Sequence, residues 1–494
     1  MSKRLAILLP ALVALAARLV TGPHPIDDAY ITFRYARNLA EGLGLVYNPG
    51  EWVLGTTAPL WALILAAAYR LGLTDLPWVA TVVSGVCDAL TVVLLVLLAR
   101  RIGWEPIGAA FVGLAWALNP MSIGFATGGM ETSLFVLLAL SALTLAATVR
   151  YAVVAAALCG VATLVRPEGA LLAAVVLGWI FLRVRRQILP AMLCAGVPIA
   201  LAGGLLLKWY GSPLPHSLAA KQVAYLPGWP LENAAALLIQ AGLPGWSTYV
   251  LAAVPAAVGL GLAAVGLTTL AILVRRGLIR LQRDQVVWQP FAAFAALYLA
   301  FYVVVGLRGV RLFPWYLVPV MPFYVLGVAA GLARLRASGV AWLAAALVVW
   351  QLPAIDWRQP LMPVGHDLGR EHLYLSVGDE LATSLPADAV VAAPEIGALG
   401  YASNLRVLDT VGLVSPAALP YYPLPADQFV SDSAIPARLI DDRQPDAVVT
   451  LDAFAERSLL PDPTFQRDYH LAAEYPADVW QSHELLLYRR VEAQ

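Results

Sequence analysis

The residues best equipped for chemistry are two adjacent carboxylates, Asp27 and Asp28, in the segment PHPIDDAYITFRYARNLAEGLGLVYNPGE. Aspartate at a helix start is commonly an N-cap, and a cap requires one carboxylate. Two adjacent ones beside apolar segments repel each other and raise at least one proton affinity, which suits a general base or a metal ligand. Further along, Glu131 stands in GGMETSLF, Arg166 and Glu168 flank a proline in LVRPEG, and KWYGSPLPHSLAAK supplies Lys208, His216 and Lys221. A last polar stretch, GLRGVRLFPWYLVP, supplies Arg308, Arg311 and Tyr316. Acids of this kind move protons or hold metals. The cations among them suit a phosphate or another anion, although snorkelling at helix ends accounts for some of them.

The elements that position these residues are apolar. The chain has 494 residues, 60% hydrophobic and 13% charged, with a mean hydropathy of +0.74, which places it among polytopic α-helical membrane proteins. The formal net charge is zero but unevenly spread: residues 357–494 hold 20 of the 32 acids and 9 of the 32 Lys and Arg. This predicts a membrane module over 1–356 and an acidic, water-soluble domain over 357–494. The acidity of that domain argues against nucleic acid as a partner. Cys87, Cys159 and Cys194 lie in apolar runs and form neither a disulfide framework nor a metal-site spacing. The apolar run at 5–20 follows Lys3 and Arg4 without a convincing cleavage site and reads as a retained first helix.

Twelve apolar runs are present, near 5–20, 58–73, 77–99, 105–118, 132–149, 151–165, 169–182, 188–207, 248–274, 288–306, 312–332 and 339–353. Counting all twelve as spans scatters the basic clusters over both sides of the membrane. Treating 58–73 as a surface helix leaves about eleven transmembrane helices and a consistent Lys/Arg bias. Lys3-Arg4, Arg100-Arg101, Arg150, Arg183-Arg185-Arg186, the 275–283 arginines and Arg334-Arg336 then face the cytoplasm, and the C-terminal domain lies outside. A first outer loop of about 21–76 carries Asp27 and Asp28. Arg34, Arg37, Arg70, Arg166, Lys208, Lys221, Arg308 and Arg311 become exceptions on the outer side, and two of only three lysines are among them. Asp88 is the one acid at mid-span, where a structural hydrogen bond between helices is the expectation. In the tail, AVVAAP, RVLDTVGL, DAVVTL, YHLAAEY and HELLLYRR read as strands of a small α/β domain. It has a strand end at Asp409-Thr410, and a lid or docking role is expected rather than chemistry.

The block DDAYITFRYARNLAEGLGLVYNPGE…TTAPLW resembles the first outer loop of the GT-C superfamily of polyprenyl-phosphate-sugar glycosyltransferases, and more closely the mycobacterial terminal β-1,2-arabinofuranosyltransferase family. The resemblance continues through GGMETSLF, LVRPEG, WYGSPLPHSLAAK and EIGALGYASNLRVLDTVGLVSP, and so covers most of the chain in order. It implies a GT-C membrane fold with an extracytoplasmic α/β domain in the plasma (inner) membrane, N-terminus cytoplasmic. It implies inverting transfer of an arabinofuranose-like or other sugar from a polyprenyl-phosphate donor to a cell-envelope glycan or lipid, by a monomer in the bilayer. Asp27 is the favoured base with Asp28 beside it. Tyr30, Arg34, Glu131, Arg166, Glu168, His216, Lys221 and Arg311 form the expected substrate- and phosphate-binding set. Either no cofactor or a divalent cation (Mg or Mn) on Asp27, Asp28 and Glu131 is compatible. The chain is shorter than the mycobacterial enzyme, mainly in the tail, which leaves sugar and acceptor open. A lipid-linked sugar transporter or flippase is the rival, but the sequence shows no clear internal repeat, and its polar residues gather on one face.

Overall fold

A computed structural model describes residues 2–225, 288–333 apart from 309 and 311, the positions 345, 348 and 349, and 369–491 apart from 432 and 480. The expected span at 248–274, that at 339–353 apart from positions 345, 348 and 349, and the expected boundary at 356/357 lie outside the described residues. The chain divides into two compact units. One draws on Met1–His24, Pro77–Ala202 and Trp229–Gly365, the other on Pro25–Leu76, Gly203–Gly228 and His366–Gln494.

The first unit is helical. Among the described residues, α1 (Lys3–Thr21), α4 (Leu76–Ile102), the segment Arg185–Tyr210 containing α10 (Ile188–Tyr210), and α12 (Gln289–Leu307) are long and apolar enough to cross a membrane. The helices α5 (Pro106–Ala117) and α6 (Pro120–Thr127) meet at a 50° bend and could form one further span. Shorter apolar helices follow: α7 (Thr132–Ala147), α8 (Ala152–Val165), α9 (Gly169–Arg183) and α13 (Met321–Ala333). Their composition is inside-out relative to a water-soluble core. On α4, Trp78, Val82, Val86, Leu90 and Leu97 are exposed, whereas Thr81, Ser84, Asp88 and Thr91 are buried. Apolar side chains outward and polar ones inward is the arrangement lipid selects, because polar groups must then find partners inside the bundle.

The mid-span acid finds such a partner. Arg18 Nε lies 3.0 Å from Asp88 Oδ2, both side chains fully buried, and Ser122 Oγ donates to the same carboxylate oxygen at 3.2 Å. Arg18 also donates to Ser122 Oγ at 2.6 Å and to the carbonyls of Ala14 and Ala117. The pair ties α1, α4 and the α5–α6 break together, the structural role expected for Asp88.

The second unit assembles around a five-stranded sheet in the order β2-β1-β3-β5-β4. Strands β1 (Val390–Ala393), β2 (Arg406–Asp409) and β3 (Ala447–Leu451) run parallel. Strands β4 (Tyr469–Val479) and β5 (Ser482–Arg490) add an antiparallel edge. Ala392, Ile435, Val448, Leu459 and Phe465 fill the core on one face. From the first loop come α2 (Asp27–Ala40) and α3 (Pro59–Arg70), joined by α11 (His216–Val223). The helices α14 (Gly369–Ser384) and α15 (Gly397–Ser403) belong to the C-terminal segment. At twelve residues, α3 is about 18 Å long by the helical rise, short of the roughly 30 Å hydrocarbon core. The outer edge of β2 is covered from the first loop: Asn48 Nδ2 donates to Val407 O at 2.9 Å, and Val407 N donates back to Asn48 Oδ1 at 3.1 Å. A side-chain amide thus takes the place of a further strand and shields the edge.

Removing one member of a buried ion pair leaves an uncompensated charge, a cost of about 3–5 kcal/mol, whereas replacing both with apolar residues is often near neutral. Arg18→Met is therefore expected to lower the unfolding temperature in detergent, and Arg18→Met with Asp88→Leu to recover most of the loss. Additive losses in the double variant would refute the pairing.

Candidate active site

Neither aspartate of the pair caps its own helix. Ile26 occupies the cap of α2 without a side-chain cap bond, and Asp27 and Asp28 fill the first turn. Asp27 is buried and turned toward α15, where its carboxylate accepts Gly397 N–H at 3.0 Å and Ala398 N–H at 2.8 Å. Burial pushes its carboxyl up to about 6; the Arg370 charge and the two amides hold it down, and neighbouring Asp28 adds to the rise. Asp28 differs. Its side chain keeps 34% of its surface exposed, and its Oδ2 lies 3.7 Å from Lys221 Nζ on α11. That helix is anchored on the first loop by His216 N–H, which donates to Leu54 O at 2.7 Å. The His216 ring is half-buried, its Nε2 has no hydrogen-bond partner among the described residues, and burial lowers its pKa, so it stands neutral at pH 7.

Two members of the expected binding set have other work. Arg34 is fully buried, with Nε on Tyr47 O at 2.9 Å, Nη1 on Gly400 O at 2.7 Å and Nη2 on Leu405 O at 2.6 Å, and it lies 4.2 Å from the Tyr47 ring centroid. Every arm of the guanidinium is spent on backbone carbonyls, so the expected phosphate role is corrected to a structural one. Tyr30 is buried against Phe33 and Tyr401, at centroid distances of 5.6 and 5.4 Å, and forms a wall of the same helix contact.

A second constellation lies within the helical unit. Arg166, between α8 and α9, pairs with Glu168 at 2.8 Å and with Glu131 at 3.3 Å, all three buried. Tyr302 donates to Glu168, and the Tyr302 and Tyr316 rings stack at 5.0 Å. Glu131 sits at the cap position of α7 without capping it, because its carboxylate is drawn to Arg166. Glu168 and Glu131 are thus counter-ions of Arg166, while the buried Arg166 Nε has no hydrogen-bond partner among the described residues. Arg311 lies outside the described residues. Both oxygens of Asp27 accept amides, Glu131 faces Arg166, and among the described residues no three His, Cys, Asp or Glu gather as ligands.

The groups behind Asp27 are absent from the residues expected of the site. Arg370 Nη1 donates to Glu395 at 2.8 Å and Nη2 to Glu371, with the Tyr374 hydroxyl beside Glu395. Burial pushes Glu395 up to about 8, Arg370 opposing and Asp27 and Glu371 adding. The available signal was EIGALG, an acid before two glycines at helical spacing; nothing local marks Arg370. The strand-end acid Asp409 is also buried, its carboxylate accepting the amides of Val411, Gly412 and Val414, so it staples a turn rather than facing a ligand.

Asp27 and Glu395 both bind protons more tightly folded than their ordinary values near 4. Each therefore contributes stability that is fully present below about pH 4 and lost as pH rises through the folded value, about 6 for Asp27 and about 8 for Glu395. Thermal unfolding of the full chain should move to lower temperature between pH 5 and 9. Asp27→Asn and Glu395→Gln should each flatten that slope, and unchanged slopes in both would contradict the assignment.

A family model described as a domain of unknown function (DUF8728) matches residues 366–488. No curated protein matches the chain in sequence. Among solved structures, ArnT from Cupriavidus metallidurans bound to undecaprenyl phosphate is 15% identical, with 99% of this chain and 98% of that chain covered and a TM-score of 0.58. The archaeal oligosaccharyltransferase AglB from Archaeoglobus fulgidus, in complex with an inhibitory peptide and a dolichol-phosphate, is 13% identical, with 100% and 74% covered and a TM-score of 0.53. The arabinofuranosyltransferase AftD from Mycobacteria is 15% identical, with 100% of this chain and 40% of that chain covered and a TM-score of 0.48. With the apolar helices and the C-terminal α/β sheet, these likenesses show the fold, which is that of the GT-C membrane glycosyltransferases.

Proposed function

We propose that this chain is an inverting glycosyltransferase that moves a sugar from a polyprenyl-phosphate donor to a cell-envelope glycan or lipid, with Asp28 as the general base. One observation carries the assignment: within the GT-C fold, the first-loop acidic pair is split, Asp27 bound to two amides and Asp28 left accessible beside Lys221. ArnT aligned over nearly its whole length binds undecaprenyl phosphate, and AglB binds dolichol-phosphate, which supports a lipid-phosphate donor.

Asp28 takes the proton of the acceptor hydroxyl as its oxygen attacks the anomeric carbon, and the bond from that carbon to the donor phosphate oxygen breaks with inversion. The lipid phosphate leaves as an anion already stabilised by its own oxygens. A cation at Lys221 lowers its charge, so no general acid is required. Asp28 then returns its proton to solvent. His216, neutral and half-buried on the same helix, offers a hydrogen bond to a sugar hydroxyl or phosphate oxygen. An arabinofuranose-like sugar is the donor group suggested by the sequence resemblance. By the charge bias, Lys3-Arg4 and Arg100-Arg101 face the cytoplasm of a plasma (inner) membrane, and the C-terminal domain faces outward.

Radiolabelled transfer with a panel of polyprenyl-phosphate pentoses and hexoses tests this. Loss of a general base costs about 10²–10⁴-fold, so Asp28→Asn should lose transfer by that factor while still binding donor. A folded, fully active Asp28→Asn protein sinks the assignment. Lys221→Ala should weaken apparent donor affinity, and Lys221→Arg should restore most of it.

A further inference from the structure

Consecutive residues on an α-helix are displaced by about 100°, so Asp27 and Asp28 leave α2 on different flanks. Asp27 meets the start of α15, and Asp28 lies toward Lys221. The rotation of α2 about its own axis therefore decides where Asp28 is aimed, and that rotation is set by residues more than 340 positions away in the chain. A Cβ at Gly397 would collide with the Asp27 carbonyl oxygen, and one at Gly400 with the Tyr47 hydroxyl. Three residues apart, the two glycines share one face of α15 and let its backbone rest on α2. Tyr47 Oη donates to Ile396 O at 2.6 Å and Arg34 Nη1 to Gly400 O at 2.7 Å, which fixes both ends of the contact. Behind it, Glu395 precedes Gly397 by two residues and is held by Arg370, which also grips Glu371 in the first turn of α14.

We propose that Arg370, Glu395 and Gly397 are positioning residues for the transfer reaction: the Arg370–Glu395 pair fixes the turn entering α15, the Gly397 and Ala398 amides hold Asp27, and the C-terminal domain thereby aims Asp28. The inference rests on the transferase assignment and on Asp28 as base. It makes the C-terminal domain part of the catalytic unit, acting through Asp27 without touching substrate.

The test uses the full-length protein in detergent, with the member of the radiolabelled donor panel that the wild type uses best, together with amide hydrogen exchange. Glu395→Leu and Gly397→Ala should each lower kcat tenfold or more while changing donor KM less than threefold. Both should raise exchange over 396–403, with the helices of the membrane unit unchanged. Glu395→Gln, which keeps an acceptor for Arg370, should stay within threefold of wild type in kcat. Should Gly397→Ala not fold, the Leu and Gln variants at 395 decide. Unchanged kcat in Glu395→Leu overturns the inference. So does a loss in which kcat falls, KM rises and exchange increases throughout the unit, because that pattern is general destabilisation. A wild type that transfers from no member of the panel defeats the transferase assignment itself, whereas an active wild type with insensitive variants defeats only the positioning role.

Discussion

The approach of α15 to α2 governs the second unit. An aspartate carboxylate on two backbone amides is a charge-assisted contact, stronger than its neutral counterparts. It forms only because Gly397 carries no Cβ against the Asp27 backbone and Gly400 none against the Tyr47 hydroxyl and Arg34 guanidinium. The surrounding polar groups serve that contact. Arg34 spends its guanidinium on carbonyls of the C-terminal segment, and Asn48 completes the edge of β2. Arg37 reaches Asn404, and Glu51 pairs with Arg406. The first loop is therefore less a loop than one wall of an α/β unit whose sheet is supplied from the far end of the sequence.

The membrane unit solves a different problem. Its helices gain little from burying apolar side chains among equally apolar lipid, so interior polar groups and close packing carry specificity. Arg18 with Asp88, and Arg166 with Glu131 and Glu168, are buried charges met within the unit. Each joins segments that the sequence keeps apart, and each occurs where a helix ends or bends. Such pairs add less net stability than their short distances suggest, since desolvation offsets much of the attraction, but they fix how the helices register.

Much of the architecture was legible in order along the chain. Apolar runs near 77–99, 105–118, 132–149, 151–165, 169–182 and 188–207 correspond to helices within a few residues, because a run of that length has few other ways to satisfy its backbone in lipid. The strands were legible in the tail because short β-branched runs bounded by Pro, Gly and Asp have few alternatives. A helix at the acidic pair was also legible, although Ile26 and not an aspartate holds its cap. Arg18 was not singled out, since one arginine in an apolar run looks like a snorkelling side chain until Asp88 is seen beside it.

Sequence alone determined the class of residue available for chemistry: an acidic pair at a helix start, a histidine and a lysine five residues apart, and an arginine and a glutamate flanking a proline. It could not rank Asp27 above or below Asp28, because adjacent identical side chains differ only in what each meets in space. Nor could it show that Arg34 is spent on backbone carbonyls and that Arg166 is met by two carboxylates. Those distinctions belong to the tertiary structure. Proton affinity, accessibility and charge balance depend on neighbours brought from distant positions, and the partners of Asp27 lie some 370 residues away in the chain.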